Sequence, residues 1–366
     1  MGFWTCSMEK MALSNTFWKN KTVLITGHTG FKGGWLALWL NSLGAQVHGY
    51  ALSPSTSPSF FVSANIESLL ASHTIADIRD ESMLQKTIKL VRPDIVFHLA
   101  AQPLVRQSYI DPVETYTTNV MGTINLFEAI RKISSAKALV NVTTDKCYEN
   151  NGSSKPFVEG DSMGGYDPYA SSKGCSELIT SSYRQSFLAD KGVGIASARA
   201  GNVIGGGDWS ADRLIPDFLK AIDCGEKLVI RSPSAIRPWQ YVLEPLKGYL
   251  LLAERLTKEG QSFSEAWNFG PADKDVKNVE YIIKKLINAF PEAKWVQSIS
   301  PQPYEAPYLT LDSTKANRRL NWQPRWSLEK ALDAIVAWHV AWRNGDNMQL
   351  FSLAQINEYE NLVTVL

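Results

Sequence analysis

The chain has 366 residues, of which 45% are apolar and 20% charged, and its formal net charge is +1. That composition suits a soluble globular protein, and the length suits one large domain or two fused ones. With no surplus of Lys and Arg, nucleic acid is not an expected partner, and an anionic ligand must be met by a few local cations.

Residues 1–20 read as a tail that scatters Trp, Glu, Lys and Asn without the apolar run of a secretory signal. The cysteines Cys6, Cys147, Cys175 and Cys224 form no Cys-x-x-Cys pair, so neither a metal site nor a disulfide framework is expected. They fit a reduced, cytoplasmic compartment. No stretch reaches the ~18 apolar residues of a membrane span; the densest, Gly34–Leu43, is broken by Asn41 and reads as a core helix.

Short apolar strands then alternate with amphipathic helices. Strands are expected at Thr22–Thr26, Gln46–Ala51, His73–Asp77, Ile95–Leu99, Ala138–Thr143 and Gly194–Arg199. Helices are expected at Gly33–Leu43, Ser82–Val91, Val113–Ile133 and Pro168–Phe187. This alternation predicts βαβ units and a parallel sheet whose strand ends share one ligand-binding edge. Residues 21–200 are therefore read as a dinucleotide-binding domain, with a strand and helix returning to it around 240–270. Residues 201–366 are read mainly as a substrate lobe. It holds a glycine-rich loop at Gly201–Ser210, a helix at Asp212–Asp223 and extended segments within Lys227–Val242. A strand at Trp267–Gly270, a helix at Asn278–Ala289, an extended stretch at Pro301–Pro307 and a last helix at Ser327–Trp342 follow.

The first strand runs into Gly27-His28-Thr29-Gly30-Phe31-Lys32-Gly33, a Gly-x-x-Gly-x-x-Gly loop that opens a helix. Glycine permits the tight turn and the close approach of a pyrophosphate, and the helix start offers free N–H groups and a partial positive charge. A plain strand-to-helix turn is the alternative, but strand before and helix after are the context a dinucleotide site needs. An acid about 20 residues on, for the adenosine ribose, is missing: the second strand ends Gly49-Tyr50-Ala51-Leu52-Ser53, with no Arg for a 2′-phosphate either. NAD and NADP stay open at that point. Asp77-Ile78, closing the third strand, is either the adenine contact or an ordinary strand end. His28 and Lys32 are expected to add grip on the pyrophosphate.

Asp167-Pro168-Tyr169 starts a helix, with Asp167 as cap and Pro168 in the first turn. Tyr169 and Lys173 then share one face. A phenol with an ordinary pKa of about 10 becomes a usable base if an ammonium and the nicotinamide charge favour the phenolate. Tyr281 and Lys285 repeat the spacing, away from any sheet-edge motif, and read as a surface pair. Tyr169, by contrast, follows a strand that ends in Thr143-Thr144-Asp145-Lys146.

The glycine loop, His98-Leu99-Ala100-Ala101, Asn119-Val120-Met121-Gly122-Thr123 and Tyr169/Lys173 together resemble the extended short-chain dehydrogenase/reductase family, from about Lys21 to Trp342. The resemblance implies a Rossmann-type doubly wound α/β fold with a smaller C-terminal α/β substrate-binding lobe. It also implies NAD as tightly held cofactor, a nucleotide-sugar substrate, and a homodimer paired through two long helices of each chain. Cofactor contacts are expected from Gly27, His28, Gly30, Phe31, Lys32, Gly33, Asp77, Ile78, Leu99, Ala100, Ala101, Tyr169 and Lys173. Thr144, Tyr169 and Lys173 are expected to be catalytic.

Epimerases of this family need only a hydride removed and returned at one carbon. A 4,6-dehydratase also loses water across C5–C6, which takes an acid and a base. Dehydratases of the family carry that pair just after the threonine, usually as Asp-Glu. Here it is Asp145-Lys146, either an acid and a base or a loop ion pair. The lysine, the Thr26–Gly33 loop and Arg237-Pro238-Trp239-Gln240-Tyr241-Val242 resemble the branch whose substrate is CDP-glucose, which feeds deoxysugars to cell-surface polysaccharide such as the O-antigen. Gln102, Arg106 and Ser108 are candidates for the hexose and Arg213 and Arg237 for the diphosphate, while Asn202 resembles the family's diphosphate or sugar contact and Tyr308 a late aromatic or hydroxyl contact in the C-terminal lobe. The rival readings are a nucleotide-sugar 4-epimerase, a dehydratase of dTDP- or UDP-glucose, and a non-catalytic NAD(P)-binding sensor.

Overall fold

The computed structural model describes residues 13, 15–152, 155–299 and 308–361. The stretch Pro301–Pro307 lies outside them.

Seven strands form one sheet: β1 (Thr22–Thr26), β2 (Gln46–Ala51), β3 (Ser72–Ile75), β4 (Ile95–His98), β5 (Ala138–Val142), β6 (Gly194–Ala200) and β7 (Ala266–Phe269). Their order is β7-β6-β5-β4-β1-β2-β3, and every pairing is parallel. The direction of growth reverses between β1 and β4, whose pairing runs from Val23↔Ile95 to Thr26↔His98. A doubly wound sheet opens its ligand crevice at such a reversal, and here the glycine loop follows β1 directly.

The sheet is covered on both faces, so its strands are apolar on both. Along β1, Val23 and Ile25 enter one layer and Leu24 the other. The second layer is built on Leu84 and Ile88 of the helix Glu81–Val91, and on Leu126 and Ile130 of Gly122–Arg131. The first is dominated by aromatics: Trp35 stacks on Phe60 at 4.8 Å and Tyr241 on Trp326 at 4.7 Å. The expected helix Val113–Ile133 is interrupted: Pro112–Tyr116 and Gly122–Arg131 flank a π-helical turn, Thr117–Met121. At its exit a Cβ on Gly122 would lie 2.6 Å from Ile78, so glycine lets the helix close on the third strand's end.

The helix Leu243–Glu259 packs against β5 and β6 and is buried nearly all round. Its Glu244 accepts from the backbone N–H of Trp326 (2.7 Å) and of Arg325 (3.0 Å) and from the Tyr359 hydroxyl (2.7 Å). This ties the final helix, Met348–Asn361, to the sheet. Three small strand pairs build the rest of the lobe: Val203–Ile204 with Gln240–Tyr241, Ile236–Pro238 with Val276–Asn278, and Lys227–Ile230 with Lys294–Gln297.

Candidate active site

Gly27 has φ +79°, and a Cβ there would lie 2.7 Å from the backbone N of Ala100. A Cβ on Gly33 would lie 2.1 Å from the carbonyl oxygen of Gly27. Only glycine fits either place, so the loop presses against the helix Phe31–Ser42 and against Leu99-Ala100. Gly30 caps that helix, leaving its first N–H groups facing the crevice. Below the loop, Thr26 shares a 2.7 Å hydrogen bond with His98 Nδ1, and the Ala100 N–H donates to the Thr26 hydroxyl at 3.3 Å. Burial, with Lys173 nearby, drives the His98 pKa down to about 3, so this imidazole is a neutral strut.

His28 is not the cation expected in this loop. Its ring is buried beneath β2, where a Cβ on Gly49 would stand 2.5 Å from it. Burial and then the charge of His73 lower its pKa to about 4. Lys32 does reach the cleft, with Phe31 beside it. Asp77 is clamped by Arg79, whose Nη2 sits 2.6 Å from its Oδ2, and Ile78 is buried; neither lines the main cavity.

That cavity, of about 290 Å³, runs from Phe31 and Lys32 past Thr144, Asp145, Lys146 and Tyr169 to Arg213, Arg231 and Arg237. Thr143 and Thr144 leave β5, and Thr144 caps a 3-10 turn, Asp145–Cys147. Asp167 caps the helix Pro168–Tyr183 by accepting from the Ala170 N–H at 2.8 Å, which turns Tyr169 inward against the threonine. Burial raises the Tyr169 pKa to about 12; a hydrogen bond from Thr144 lowers it, the Asp145 charge raises it, and Arg213 lowers it. The protein alone therefore keeps the phenol protonated at neutral pH. Lys173 donates to the carbonyl of Val142 at 3.2 Å, and burial lowers its pKa to about 8.

Asp145 is 1% exposed. Its Oδ1 accepts from the Thr144 hydroxyl at 3.1 Å and lies 3.9 Å from Lys146 Nζ, while Oδ2 is buried with no partner in the described structure. Oδ2 fits only because residue 201 is glycine, where a Cβ would stand 1.8 Å away. Buried carboxylate oxygens are rarely left unpaired, so this one marks the cavity wall as unusual. Lys146 is more open and also borders a smaller side chamber with Asp167 and Arg237.

Of the candidate substrate residues, Arg106, Asn202, Arg213 and Arg237 line the main cavity. Asn202 has φ +30° and a buried, unpartnered Oδ1. Arg213 donates to Asp208 at 2.9 Å and Arg106 to Asp212 at 3.0 Å. Gln102 and Ser108 are turned away from it. The Gln102 amide donates to Thr115 and to the Leu104 carbonyl, and the fully buried Ser108 donates to Val105 within its own helix. Tyr308 offers its carbonyl to Asn150 and does not border the cavity.

Pattern reading missed the support under the turn that carries Thr144 and Asp145. Glu177, one turn beyond Lys173, accepts from Thr143 (2.5 Å), Ser197 (2.5 Å) and both arms of Arg199 (2.8 and 3.0 Å). Arg199 continues to the Tyr148 hydroxyl at 2.7 Å. Burial alone raises the Glu177 pKa, but the Arg199 charge and the hydrogen bonds outweigh it and hold the carboxyl below its ordinary range. The 169-173-177 spacing was the available signal.

The model of the GDP-mannose 4,6-dehydratase family matches residues 24–335. The chain belongs to the extended short-chain dehydrogenase/reductase family, in its nucleotide-sugar dehydratase and epimerase branch. It is 51% identical over 358 residues to a CDP-glucose 4,6-dehydratase of Salmonella typhimurium, covering 96% of this chain and 99% of that one. Identity to a UDP-glucose 4-epimerase of Mycoplasma pneumoniae is 27%, over 70% of this chain and 79% of the relative. The crystal structure of a dTDP-glucose 4,6-dehydratase from Streptomyces venezuelae, solved with NAD and TYD bound, superposes with a TM-score of 0.75. That match has 22% identity and covers 88% of this chain and 98% of the other. The expected family and the doubly wound fold are both borne out. Among the described residues no helix is long and apolar enough to cross a membrane.

Proposed function

We propose that this protein is a CDP-glucose 4,6-dehydratase, a hydro-lyase that converts CDP-D-glucose to CDP-4-dehydro-6-deoxy-D-glucose and water. The observation that carries the reading is near-full-length identity of 51% to such an enzyme. The site supports it: beside Thr144 and Tyr169 stand a buried, half-unpaired carboxylate and a cavity-facing amine, Asp145 and Lys146.

NAD suits the glycine loop, because Gly30 starts the helix Phe31–Ser42 with no side-chain cap and leaves its first N–H groups for a pyrophosphate. Gly27, Gly30 and Gly33, with the N–H groups of Phe31 and Lys32, hold its pyrophosphate, and Leu99–Ala101 border it. When bound, NAD supplies the acceptor for the C4 hydride and then returns that hydride to C6; its positive ring is also the charge that brings the Tyr169 phenol within reach of neutral pH. Tyr169, with Thr144 and Lys173, takes the proton of the O4 hydroxyl. The resulting 4-ketone acidifies C5–H, and Lys146 takes that proton. Asp145 gives a proton to O6, which leaves as water. Lys146 then gives its proton back to C5 as the hydride arrives at C6. Tyr169 has gained one proton and Asp145 lost one, so the count closes over a turnover.

Arg213, Arg237 and Asn202 hold the diphosphate, and Arg106 closes the cleft from the sheet side. Residues 21–200 thus serve the cofactor and 201–366 mainly the substrate. Two chains pair in the cytoplasm through the helices Pro112–Tyr116, Gly122–Arg131 and Pro168–Tyr183; exposed Val113 (70%) and Leu178 (61%) on these packed helices support that.

The test is direct. The protein is incubated with CDP-, dTDP- and UDP-glucose, and the 4-keto sugar is read by its absorbance in alkali. CDP-glucose is expected to turn over fastest. Faster turnover of dTDP-glucose overturns the choice of base, and an epimer formed without ketone overturns the dehydratase reading.

A further inference from the structure

The cleft has two chemically different ends. At one, Thr144 and Tyr169 await the hexose. At the other, the helix Leu214–Cys224 and the strand Lys227–Ile230 pack together and contribute Leu214, Asp217 and Leu228 to the wall, with Arg231 just after the strand. With the sugar at Tyr169 and the diphosphate on Arg213 and Arg237, the base can only lie at this far end. Leu214 and Leu228 supply an apolar face for the ring, and Asp217 and Arg231 are charged groups facing the same space.

We propose that Asp217 and Arg231 read the Watson–Crick edge of cytosine and so set the enzyme's choice of nucleotide; the inference rests on the CDP-glucose reading above. Cytosine offers an amino donor at C4 with acceptors at N3 and O2. Uracil and thymine offer an acceptor at O4 and a donor at N3. A carboxylate only accepts, and a guanidinium only donates. Asp217 facing N4 and Arg231 facing N3 and O2 satisfy cytosine at every position. Against uracil the same pair sets carboxylate against O4 and guanidinium N–H against N3–H, two repulsive contacts in place of two bonds. A site built for one hydrogen-bonding pattern rejects its inverse strongly, because the buried groups are left unpaired.

The pair is also held in place. Arg231 donates through Nη1 to Asp212 Oδ1 at 3.1 Å and through Nη2 to the Asp212 carbonyl at 2.9 Å. Asp212 sits at φ +61° and accepts from Arg106 as well, so one carboxylate positions the guanidinium and bridges the cleft. Of the five N–H donors of Arg231, two are spent on Asp212 and the rest remain for a ligand. Asp217 is half-buried in the first turn of its helix and takes a hydrogen bond from the Asp212 backbone.

The test compares dissociation constants of CDP, UDP and dTDP by titration calorimetry, using the full chain with its cofactor, alongside turnover of CDP- and UDP-glucose. In Asp217→Asn the amide can turn an N–H toward O4. The CDP-over-UDP affinity ratio is then expected to shrink about tenfold or more, by weaker CDP and stronger UDP binding. The matching loss on CDP-glucose should fall in KM and not in kcat. Arg231→Met should weaken CDP without gaining UDP, and remains informative if the first variant folds poorly. Equal weakening of all three nucleotides in either variant, or an unchanged ratio, overturns the base-reading role while leaving the dehydratase reading intact. A wild-type protein that does not turn over CDP-glucose overturns that reading itself, and this inference with it.

Discussion

Two helices of this molecule carry the same Tyr-x-x-x-Lys spacing, and they have become different chemical objects. Tyr169 and Lys173 are buried at the sheet edge; burial pushes the phenol up to about 12 and the ammonium down to about 8. Tyr281 and Lys285 lie on the lobe's surface, where both bond the carboxylate of Glu329, at 3.2 and 2.6 Å. That carboxylate raises the Lys285 pKa where burial lowers that of Lys173. One turn further along, the first helix places Glu177 and the second Ala289. A spacing therefore states only that two side chains share a face. Whether they can exchange protons with a substrate is decided by what surrounds that face.

The sharpest way to break the comparison is to remove each hydroxyl in turn. Tyr169→Phe should lower kcat for ketone formation by about 10³-fold, within the range a positioned acid or base supplies. Tyr281→Phe should leave it within about twofold, since Tyr281 does not line the cavity and its hydroxyl bonds Glu329. Equal kcat for the two variants, measured under saturating CDP-glucose, would place the base elsewhere.

The second difference is Glu177. Glu177→Gln keeps the shape and leaves Arg199 buried without its counter-charge. Breaking one side of a buried pair costs about 3–5 kcal/mol, and a loss near the lower figure is expected in denaturant unfolding. Because Glu177 also holds Thr143, beside Thr144, kcat should fall as well. A loss under about 1 kcal/mol would show that water or other groups already compensate Arg199, and that Lys173 and Glu177 do not form one designed stack.

What could be read beforehand divides along the same line. The strands Thr22–Thr26 and Gln46–Ala51 were legible to the residue, because a short, largely apolar run flanked by turn-forming residues is a local signal. So was the Asp167-Pro168 helix start, since a cap is local chemistry. Leu243–Glu259 was legible only as a helix returning around 240–270, without its bounds. The fate of His28 was not legible, since its direction depends on Gly49 in the neighbouring strand. Gln102 sat at the right strand end, but the hydroxyl that holds its amide away from the cleft comes from Thr115 in another helix. Sequence placed residues at the sheet edge; packing across elements decided which of them face the cleft.

Lys32 tests whether burial alone accounts for the contrast between the two lysines already compared. Like Lys173 it is pressed into the site: burial, then the charges of Lys173 and Arg213, lower its pKa to about 7. In the unfolded chain that pKa returns to about 10.4. Between the two values the unfolded state binds more protons than the folded one, so stability rises with pH across that window. The penalty for carrying this lysine is therefore full below pH 7 and fades toward pH 10. Lys32→Met, stripped of nucleotides, should melt on the order of 2–4 °C higher than wild type at pH 6, and the gain should shrink by pH 9.5. The same variant should bind NAD more weakly, because the crowding that destabilises the empty site is what receives the cofactor's two phosphate charges. A gain that does not depend on pH would mean that Lys32 is merely poorly packed. Unchanged NAD affinity would leave Lys32 with the standing of Lys285: a cation whose partner is another part of the protein's own surface.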